Sequence, residues 1–408
     1  QAWYCMHIAM LSAEYPPRWG GMGSTVFHLS SALASRGHHI TIITRNGVGK
    51  NIPSIPGVEV ISVGWLRIPM EFTRSYGRTA LRALKKLNKL NPVDVVHLHC
   101  PMISWSEKQF RECKNNIAPI VSSLHGSWLG EKDGLLTAKE QKEIAVWANP
   151  NDLAILLTSK RYAKFENQAL LGSDVCVANS EATKEDFNSR YSPPIDWDCE
   201  VIHWGVDTEM FTPTETRNKD LRSRFGCSES DVLLLAVGRL AARKGYGSLL
   251  QAFALVKSEF SNSKLVIVGR GNLRKRLLNQ AHSLGISSSV YIESSMSFEE
   301  LAELFRNADL TIYPSYYEGQ GLIPLESMSS GTPVVTVNHG PLPEMVDSEV
   351  GALFQMGDIS SMSSTIIKEI SNINSLQKKG MVGRERVLQK FTYEIDADRF
   401  IKIYERIQ

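Results

Sequence analysis

Short apolar runs alternate with amphipathic stretches of about 10 to 15 residues along most of this chain. The alternation is typical of βαβ units, in which a helix connects two parallel strands. Because the runs hold consecutive Val, Ile and Leu residues, we predict strands that are covered on both faces. Six predicted strands lie in the first half, at residues 7–12, 39–45, 58–63, 93–100, 119–125 and 174–180. Five more lie in the second half, at residues 231–238, 264–269, 290–293, 310–314 and 333–337.

Two domains are expected, because the strand pattern starts again after residue 207. The 408 residues also exceed the roughly 250–300 at which a single core stops growing. We predict an α/β protein with two doubly wound, Rossmann-like domains facing a central cleft, at residues 1–207 and 208–390. Ligands of such sheets bind outside the carboxyl ends of the strands. Residues 129–160 have the least regular pattern and are expected to form an insertion.

The bulk composition excludes several classes of protein. A net charge of +2 is too small to favour nucleic acid as a partner. The six cysteines show no CxxC spacing, so we expect free thiols in a reducing compartment. No apolar run reaches the roughly 18 residues of a membrane span, and residues 1–11 lack the pattern of a secretory signal. A cytoplasmic protein with Met6 as its native start is expected, and the source of residues 1–5 stays open.

A glycine-rich loop follows the first predicted strand. Gly20, Gly21 and Gly23 permit a ligand to approach the main chain closely, and Ser24 is the expected N-cap of the next helix. A loop that leads into a helix N-terminus supplies N–H donors for an anion. The GGxG spacing matches neither the dinucleotide fingerprint GxGxxG nor a P-loop. A simple tight turn is the alternative.

Two cations lie in the loop after the first strand of the second half. The segment "GRLAARKG" (238–245) places Gly238 at the strand end, with Arg239 and Lys244 five residues apart. An Arg fork and a Lys point charge suit a diphosphate, and solvated surface charge is the alternative. The next strand is followed in the same way by Gly269.

Two glutamates flank a glycine-bearing segment after strand 310–314. Glu318 is expected on a loop at the carboxyl end of this strand, and Glu326 in the first turns of a helix that has Pro324 near its start. A carboxylate near a helix start is favourable by itself, so Glu326 has a purely structural alternative. Glu318 has no such structural alternative. A carboxylate on a glycine loop more often binds hydroxyl groups than it acts as an acid or base.

The segment "EGQGLIPLESMSSGTPVV" (318–335) resembles the E-x7-E signature of retaining nucleotide-sugar glycosyltransferases of family 4, which have the GT-B architecture. Further similar segments, in the family's order, are "GGMG" (20–23), "HG" (125–126), "GVDTEMF" (205–211), "GRLAARKG" (238–245) and "VGRGN" (268–272). Each match alone is weak, but the ordered set extends over nearly the whole chain. The resemblance implies an enzyme that transfers a sugar from a nucleotide diphosphate donor and retains its configuration.

The resemblance also implies roles for particular residues. Glu318 would contact hydroxyls of the donor sugar, Glu326 would hold the nucleotide ribose, and His125 would reach the donor sugar. Arg239 and Lys244 would neutralise the donor diphosphate. The other predicted donor-binding positions are Gly20, Gly21, Gly23, Gly238, Gly269, Gly319, Gly321 and Leu322. From sequence alone, His125 could equally cap a strand end.

Two positions depart from the family's pattern. Gln320 stands where the family often has an aromatic residue, and His339 lies in a segment that replaces a frequent double-glycine turn. We find no DxD metal motif, so no metal ion or other cofactor is expected. No Asp or Glu is nominated as a nucleophile, and the family's implied route is same-face departure and attack without a covalent intermediate.

The implied partners are a nucleotide-sugar donor, with UDP- or GDP-sugar expected, and a glycan, lipid-linked or small-molecule acceptor. Residues 78–90 predict a basic amphipathic helix that could contact the inner face of an anionic membrane; a surface helix packed on its own sheet is the alternative. Its leucines are Leu81, Leu84, Leu87 and Leu90. Residues 391–408 resemble the family's terminal helix, which would belong to the first domain. The oligomeric state stays open.

Three other functions fit the same architecture. A sugar phosphorylase would turn over with inorganic phosphate and without a nucleotide. A nucleotide-sugar epimerase would isomerise the donor without an acceptor. A non-catalytic binding protein would bind nucleotide-sugar but would have no activity to lose.

Overall fold

The computed structural model describes residues 5–16, 20–47, 52–143, 146–294 and 296–408. Contacts between residues divide the chain into two units, each with its own parallel sheet. Unit 1 comprises Gln1–Glu131, Ala154–Gly205 and Tyr393–Gln408. Unit 2 comprises Lys132–Leu153 and Val206–Thr392. Residues 132–153 therefore group with unit 2, whereas the sequence-based division places them in the first domain.

Unit 1 has a parallel sheet of seven strands among its described residues, in the order β3-β2-β1-β4-β5-β6-β7. The strands are β1 (His7–Leu11), β2 (His39–Arg45), β3 (Val58–Val63), β4 (Val95–Cys100), β5 (Ile120–Leu124), β6 (Val175–Ala178) and β7 (Cys199–Val201). The helices of unit 1 are α1 (Gly21–Ala34), α2 (Glu71–Leu90), α3 (Glu107–Asn116), α6 (Glu181–Arg190) and the terminal α14 (Tyr393–Ile407). Two more helices, α4 (Trp128–Glu140) and α5 (Pro150–Gly172), each have residues in both units.

Unit 2 has a parallel sheet of six strands among its described residues, in the order β10-β9-β8-β11-β12-β13. The strands are β8 (Val232–Val237), β9 (Ser263–Val268), β10 (Val290–Glu293), β11 (Leu310–Tyr313), β12 (Val334–Val337) and β13 (Gly351–Phe354). The helices are α7 (Lys219–Arg224), α8 (Tyr246–Glu259), α9 (Arg274–Ser283), α10 (Phe298–Asn307), α11 (Leu322–Ser329), α12 (Ile359–Ile370) and α13 (Ile373–Lys390). Two parallel α/β sheets of this kind confirm the predicted fold class.

Every strand predicted from the sequence is present, but the edge strands β7 and β13 were missed. Both are short and only partly buried, so they lack the continuous apolar run of a central strand. The irregular conformation predicted over residues 129–160 is wrong, because nearly all of α4 and the first 11 residues of α5 lie there. Polar and apolar residues are weakly segregated along these helices, which hid their period from the sequence.

The apolar face of α2 packs inside unit 1. Leu81, Leu84 and Leu87 are buried, while Leu90 at the helix end is 87% exposed. The helix contacts β2 and β3, so its leucines cover the sheet as in the surface-helix alternative. Only the basic face of α2 is therefore available for the predicted contact with a membrane. Among the described residues, every helix is too short or too polar to cross a bilayer.

The terminal helix α14 is fastened to unit 1 by polar bonds as well as apolar contacts. Phe400 and Tyr404 are buried, and the helix packs along α1. The buried Asp396 carboxylate accepts a hydrogen bond from the Gly205 backbone N–H at 2.7 Å. The Tyr404 hydroxyl lies 2.7 Å from Nδ1 of His97 on β4. A strand residue and a residue some 300 positions later therefore share one core.

In each sheet the strand order reverses at one place. In unit 1 the reversal falls between β1 and β4, and in unit 2 between β8 and β11. The loops that follow two strands at such a reversal run in opposite directions, and the crevice between them is where open α/β sheets bind ligands. The predicted glycine loop follows β1, the Arg239–Lys244 loop follows β8, and Glu318 follows β11. The topology thus places the predicted loops at the binding edge of their own sheets.

A buried ion pair joins the start of unit 2 to its sheet. The Arg222 side chain is 2% exposed and donates to the Asn307 backbone oxygen at 2.8 Å and to the Asp309 carboxylate at 3.3 Å. Asp309 also accepts from the Leu233 backbone N–H at 2.8 Å and pairs with Arg217 at 2.5 Å. The short helix α7 depends on this network for its position.

Replacing Arg222 by Met is expected to destabilise the chain by about 3 kcal/mol, because Asp309 stays buried with one cation fewer. The cost lies at the lower end of the range for breaking a buried pair, since Arg217 and the Leu233 N–H still bond this carboxylate. Urea denaturation of the full chain, followed by circular dichroism, measures the change.

The matched control is Arg111→Met, because Arg111 pairs with Glu107 on the surface and both side chains are about two-thirds exposed. A surface pair of this kind contributes less than about 1 kcal/mol. Equal losses in the two variants would show that the Arg222 network does not carry the stability assigned to it.

Candidate functional site

Lys244 and Glu318 meet at the strand reversal of unit 2. Lys244 lies in the turn between β8 and α8 and is only 9% exposed. Its ammonium group donates to the Glu318 carboxylate and to the Tyr313 hydroxyl, the latter at 3.2 Å. The Ser315 hydroxyl donates to the same carboxylate at 2.6 Å. Two residues that are 74 positions apart in the chain therefore form one ion pair.

Further cations surround this pair. Arg243 Nη1 lies 3.9 Å from the Glu318 carboxylate and donates to the Tyr317 backbone oxygen at 3.3 Å. Arg239 is exposed, and its charge acts on Lys244 from the same loop. Three cations thus share the region with one carboxylate, so the cluster carries an excess of positive charge. Such an excess can bind a multivalent anion.

The pKa values of the pair follow from burial and from neighbouring charge. Burial lowers the pKa of Lys244 to about 8, and the charges of Arg243 and Arg239 add to this effect while Glu318 opposes it. Burial also opposes ionisation of Glu318, but Lys244 and Arg243 together hold the pKa of this carboxyl below its ordinary value. Glu318 is therefore an anion at neutral pH, and Lys244 is a cation that titrates close to the physiological range.

The backbone beside these charges is closely packed. A Cβ atom on Gly269, after β9, would lie 1.8 Å from the Gly238 carbonyl oxygen. Any larger residue at Gly269 would therefore push the loops after β8 and β9 apart. Gly238 and Gly269, both predicted as donor-binding positions, are brought together at this edge by the sheet.

Helix α11 begins directly beyond the Glu318 loop. Its N-cap is Gly321, with a φ of 95° in the region that favours glycine and with no side-chain cap. The amides of its first turn, beginning with Leu322, have no acceptor within the helix and can meet an anion. Gly319 lies between Glu318 and this helix start. The order of carboxylate, glycine loop and helix start is the predicted one.

Glu326 lies on α11 and is half-buried. Burial raises the pKa of its carboxyl to about 8, and the charge of Asp207 adds to the effect. At neutral pH this group keeps its proton, so it can donate as well as accept a hydrogen bond. It differs in charge from Glu318, although the sequence presents the two as similar glutamates.

The two positions that depart from the family's pattern have different surroundings. The Gln320 side chain is 3% exposed, and its amide nitrogen lies 3.9 Å from Sδ of Met345. Gln320 therefore belongs to the packed interior of unit 2. His339 is exposed in the loop after β12.

His125 belongs to a buried histidine cluster in unit 1. It follows β5, and its backbone N–H donates to the Cys100 oxygen at 3.1 Å. Its Nε2 lies 3.0 Å from Nδ1 of His99, the last histidine of β4, and its ring stacks on Trp204 at 5.2 Å. Burial lowers the pKa of His125 to about 3. The imidazole is therefore neutral and acts through hydrogen bonds rather than as a cation.

The glycine loop of unit 1 differs in detail from the prediction. Gly20 is the N-cap of α1 and makes no side-chain cap bond, while Gly21 and Gly23 lie in the first turn of the helix. The prediction that Ser24 is the N-cap is wrong. Ser24 lies inside α1, where its backbone N–H donates to the Gly20 oxygen at 3.0 Å. The helix therefore starts earlier than predicted.

The structure therefore brings the predicted residues together as two groups. Unit 2 holds Arg239, Lys244, Glu318 and the α11 start, and unit 1 holds His125 and the glycine loop. Sequence reasoning missed Arg243, His99 and Trp204. Arg243 lies within the motif that was singled out, so its charge was a usable signal; the other two look like ordinary core residues in the sequence.

Two Rossmann-like sheets, each with charged or glycine-rich loops at its strand reversal, are the architecture predicted for a GT-B protein. A family model for glycosyl transferases group 1 matches residues 218–386, and a model for glycosyltransferase family 4 matches residues 19–210. Together the two models account for most of both units. The chain belongs to the family 4 type of GT-B glycosyltransferases, as the sequence motifs predicted.

The curated relatives have similar lengths. A glycogen synthase of Mycobacterium tuberculosis is 26% identical over 420 aligned residues, which cover 98% of this chain and 94% of the relative. An uncharacterized glycosyltransferase of Methanocaldococcus jannaschii is 29% identical over 358 residues, covering 86% and 85%. The chain is therefore a glycosyltransferase, and the names of its relatives differ in substrate.

Solved structures show the same fold. Sucrose-phosphate synthase from Thermosynechococcus elongatus aligns with a TM-score of 0.79 at 21% identity and covers 98% of each chain. An Anabaena protein in complex with UDP and glucose aligns with a TM-score of 0.72 at 18% identity, covering 98% of this chain and 100% of that one. At these identities the likeness establishes the architecture alone.

The raised pKa of Glu326 predicts a pH-dependent stability difference between the wild type and Glu326→Gln. The folded state holds the proton up to about pH 8, whereas the unfolded chain releases it near about 4.3. Wild-type stability therefore falls as pH rises from about 4.3 to 8, by at most about 1.4 kcal/mol per pH unit and by less because the group is half-buried. The Gln variant lacks this proton, so its stability relative to the wild type should increase from pH 5 to pH 8.

Urea denaturation at pH 5, 6.5 and 8 measures the difference. Glu385→Gln, which removes an exposed carboxylate from α13, is the control and should follow the wild type. If Glu326→Gln also follows the wild type at all three values, the carboxyl of Glu326 is not kept protonated by burial.

Proposed function

We propose that this glycosyltransferase moves a hexose-type sugar from a nucleoside diphosphate donor to a glycan, lipid-linked or small-molecule acceptor, with retention of configuration. The observation that carries the proposal is the excess of positive charge around Glu318 at the strand reversal of unit 2. A donor diphosphate brings two or more negative charges to a site, and three cations beside one carboxylate match that balance. UDP- and GDP-sugars are the expected donors.

The leaving nucleoside diphosphate gains negative charge as the glycosidic bond breaks. Cations and helix amides that already point to this position stabilise the transition state without reorganisation. In our proposal Arg239 and Lys244 neutralise the diphosphate, with Arg243 beside them, and the amides of Gly321 and Leu322 add donors. No metal ion is assigned a step, because these groups supply the positive charge.

Lys244 can keep its ion pair while it binds the donor. An ammonium group has three N–H donors, and two of them bond Glu318 and Tyr313 in this structure. The third can meet a phosphate oxygen. Glu318 would then be held beside the bond that breaks, where its carboxylate accepts hydrogen bonds from sugar hydroxyls.

Neutral groups would form hydrogen bonds with the nucleotide ribose and with the donor sugar. Glu326, protonated at neutral pH, would bond a ribose hydroxyl as both donor and acceptor. The neutral imidazole of His125 would bond the donor sugar, and the glycine loop of unit 1 would lie beside the acceptor. Because no carboxylate is assigned as a nucleophile, departure and attack would occur on the same face of the sugar.

The nucleotide base is a separate question. Among the solved structures of this fold, the Anabaena protein was crystallised with UDP and glucose, and a starch synthase domain from Arabidopsis with ADP and acarbose. These ligands support a nucleoside diphosphate donor and leave uridine and adenosine both open, together with guanosine.

A screen of UDP-, GDP- and ADP-sugars tests the proposal. A ligand that binds only the folded state raises the Tm, and the donor that raises it is then incubated with candidate acceptors. Transfer with an α-anomer retained, observed by proton NMR, is the expected result. Turnover with inorganic phosphate alone, isomerised donor without acceptor, or binding without any turnover would instead identify the phosphorylase, the epimerase or the binding protein.

Glu318→Gln is expected to lower turnover by about 100-fold, because the hydrogen bonds that position the donor sugar are weakened and a misplaced substrate reacts that much more slowly. Nucleoside diphosphate affinity should change by less than about threefold, because Lys244 and the helix amides remain. Steady-state kinetics and calorimetric titration measure the two quantities. Lys275→Met, which removes an exposed cation from α9, is the control and should alter neither. If Glu318→Gln turned over at the wild-type rate, the role assigned to Glu318 in the site would be wrong.

Nucleoside diphosphate binding is expected to weaken as pH rises through about 8, the pKa of Lys244. The protonated amine is the form that binds phosphate, and between pH 7 and pH 9 the charged fraction falls roughly tenfold, so Kd should rise by up to that factor. In Lys244→Arg the charge persists at these pH values, and the dependence should flatten. A wild type and a Lys244→Arg variant with the same pH profile would contradict this assignment.

A further inference from the structure

The buried carboxylate of Glu143 is bonded to two different loops of unit 2. Glu143 is 8% exposed. It accepts from the backbone N–H groups of Gly247 and Ser248, both at 2.9 Å. It also accepts from the Ser248 hydroxyl at 2.5 Å and from the Tyr316 hydroxyl at 2.9 Å. Four donors to one carboxylate form a built site rather than a surface contact.

These partners lie next to the charged groups described above. Gly247 and Ser248 are in the first turn of α8, which begins two residues after Lys244. Tyr316 precedes Glu318 by two residues in the loop after β11. One carboxylate thus joins the loop that carries Lys244 to the loop that carries Glu318. The Ser248 and Tyr316 hydroxyls, 2.8 Å apart, complete the connection.

The carboxylate also caps α8. A negative charge at a helix N-terminus satisfies first-turn amides and interacts favourably with the helix dipole. Burial raises the pKa of Glu143, while its hydrogen bonds from Ser248, Tyr316 and Gly247 lower it. Each oxygen accepts from one first-turn amide, so the cap depends on both of them.

Glu143 belongs to the strap, which we define as the described residues 132–143 and 146–153. Other parts of the strap contact the same region: a Cβ atom on Gly134 would lie 2.4 Å from Cβ of Tyr317, so the strap backbone packs directly on the Glu318 loop. Near its other end, the Ala148 oxygen accepts from the Asn272 side chain at 3.0 Å. The two loops are also joined without the strap, since the Tyr316 N–H donates to the Arg243 oxygen at 2.8 Å.

We propose that Glu143 is a positioning residue of the donor site, which holds Lys244 and Glu318 in register through α8 and Tyr316. This inference rests on the proposed function, because it takes Lys244 and Glu318 to be donor-binding groups. Glu143 then adds a link, beside the Tyr316–Arg243 backbone bond, between the loop of the diphosphate-binding cation and the loop of the sugar-binding carboxylate.

Glu143→Gln tests the inference in the full chain. Glutamine keeps one acceptor oxygen but turns an NH₂ group toward the N–H of either Gly247 or Ser248, so one of the two bonds to the first turn of α8 is lost. Isothermal titration with UDP, GDP and ADP should show about tenfold weaker binding of the nucleotide that the wild type binds, and kcat should fall as well. Tyr316→Phe keeps both amide bonds of the cap and loses the hydroxyl's bonds to Glu143 and Ser248, so it should lower kcat with the donor KM changed less than about threefold.

Ser297→Ala is the matched control for stability. Ser297 caps α10 by accepting from the Glu300 N–H at 3.1 Å, and neither residue belongs to the proposed site. This variant should lower the Tm and leave nucleotide Kd and kcat within about twofold of the wild type. If Glu143→Gln behaves like Ser297→Ala, Glu143 is only a helix cap and the inference is overturned.

The two proposals fail in different ways. A wild type that binds none of the three nucleotides overturns the proposed function, and the role of Glu143 with it. A wild type that binds and turns over normally, beside a Glu143→Gln variant with unchanged Kd and kcat, overturns the role of Glu143 alone.

Discussion

A parallel sheet that is covered on both faces offers its chemistry only at the ends of its strands. In each unit of this chain the helices occupy the two faces, so polar side chains can meet a ligand only in the loops that follow the strands. The strand order reverses between β8 and β11, which is the place where open α/β sheets bind ligands, and the charges of the two following loops lie there. The positions of Lys244, Glu318 and the α11 start all follow from that one topological fact.

Burying Lys244 against Glu318 is not an efficient way to stabilise a fold. A buried ion pair roughly balances its desolvation cost against its Coulombic gain, and here a second and a third cation raise the electrostatic cost. An excess of positive charge around a buried ion pair is consistent with a site that is completed by an anion. The same excess explains why Glu318 stays ionised while Glu326, which has Asp207 as its charged neighbour, keeps its proton.

Much of the fold could be predicted from the sequence, because central strands need continuous apolar runs and these runs are visible without an alignment. The edge strand β13 and the helices of residues 129–160 were missed, since partial burial leaves a weaker pattern. The loops with glycine, Arg239 and Glu318 could be located for the same reason: they follow strands that the sequence marks clearly. His99 could not be recognised, because a histidine within a buried strand has no local feature that tells a packed side chain from one that bonds His125.

The sequence by itself determined the two α/β sheets, the positions of the loops after their strands and the family to which the chain belongs. These depend on local periodicity and on short motifs, which are complete within a few tens of residues. Only the tertiary structure decided which charges meet. Lys244 reaches Glu318 because β8 pairs with β11, and Glu143 reaches α8 across 104 residues of chain. Hydrogen bonds act over about 3 Å, so they depend on which strands and helices become neighbours, and no local pattern in the sequence carries that information.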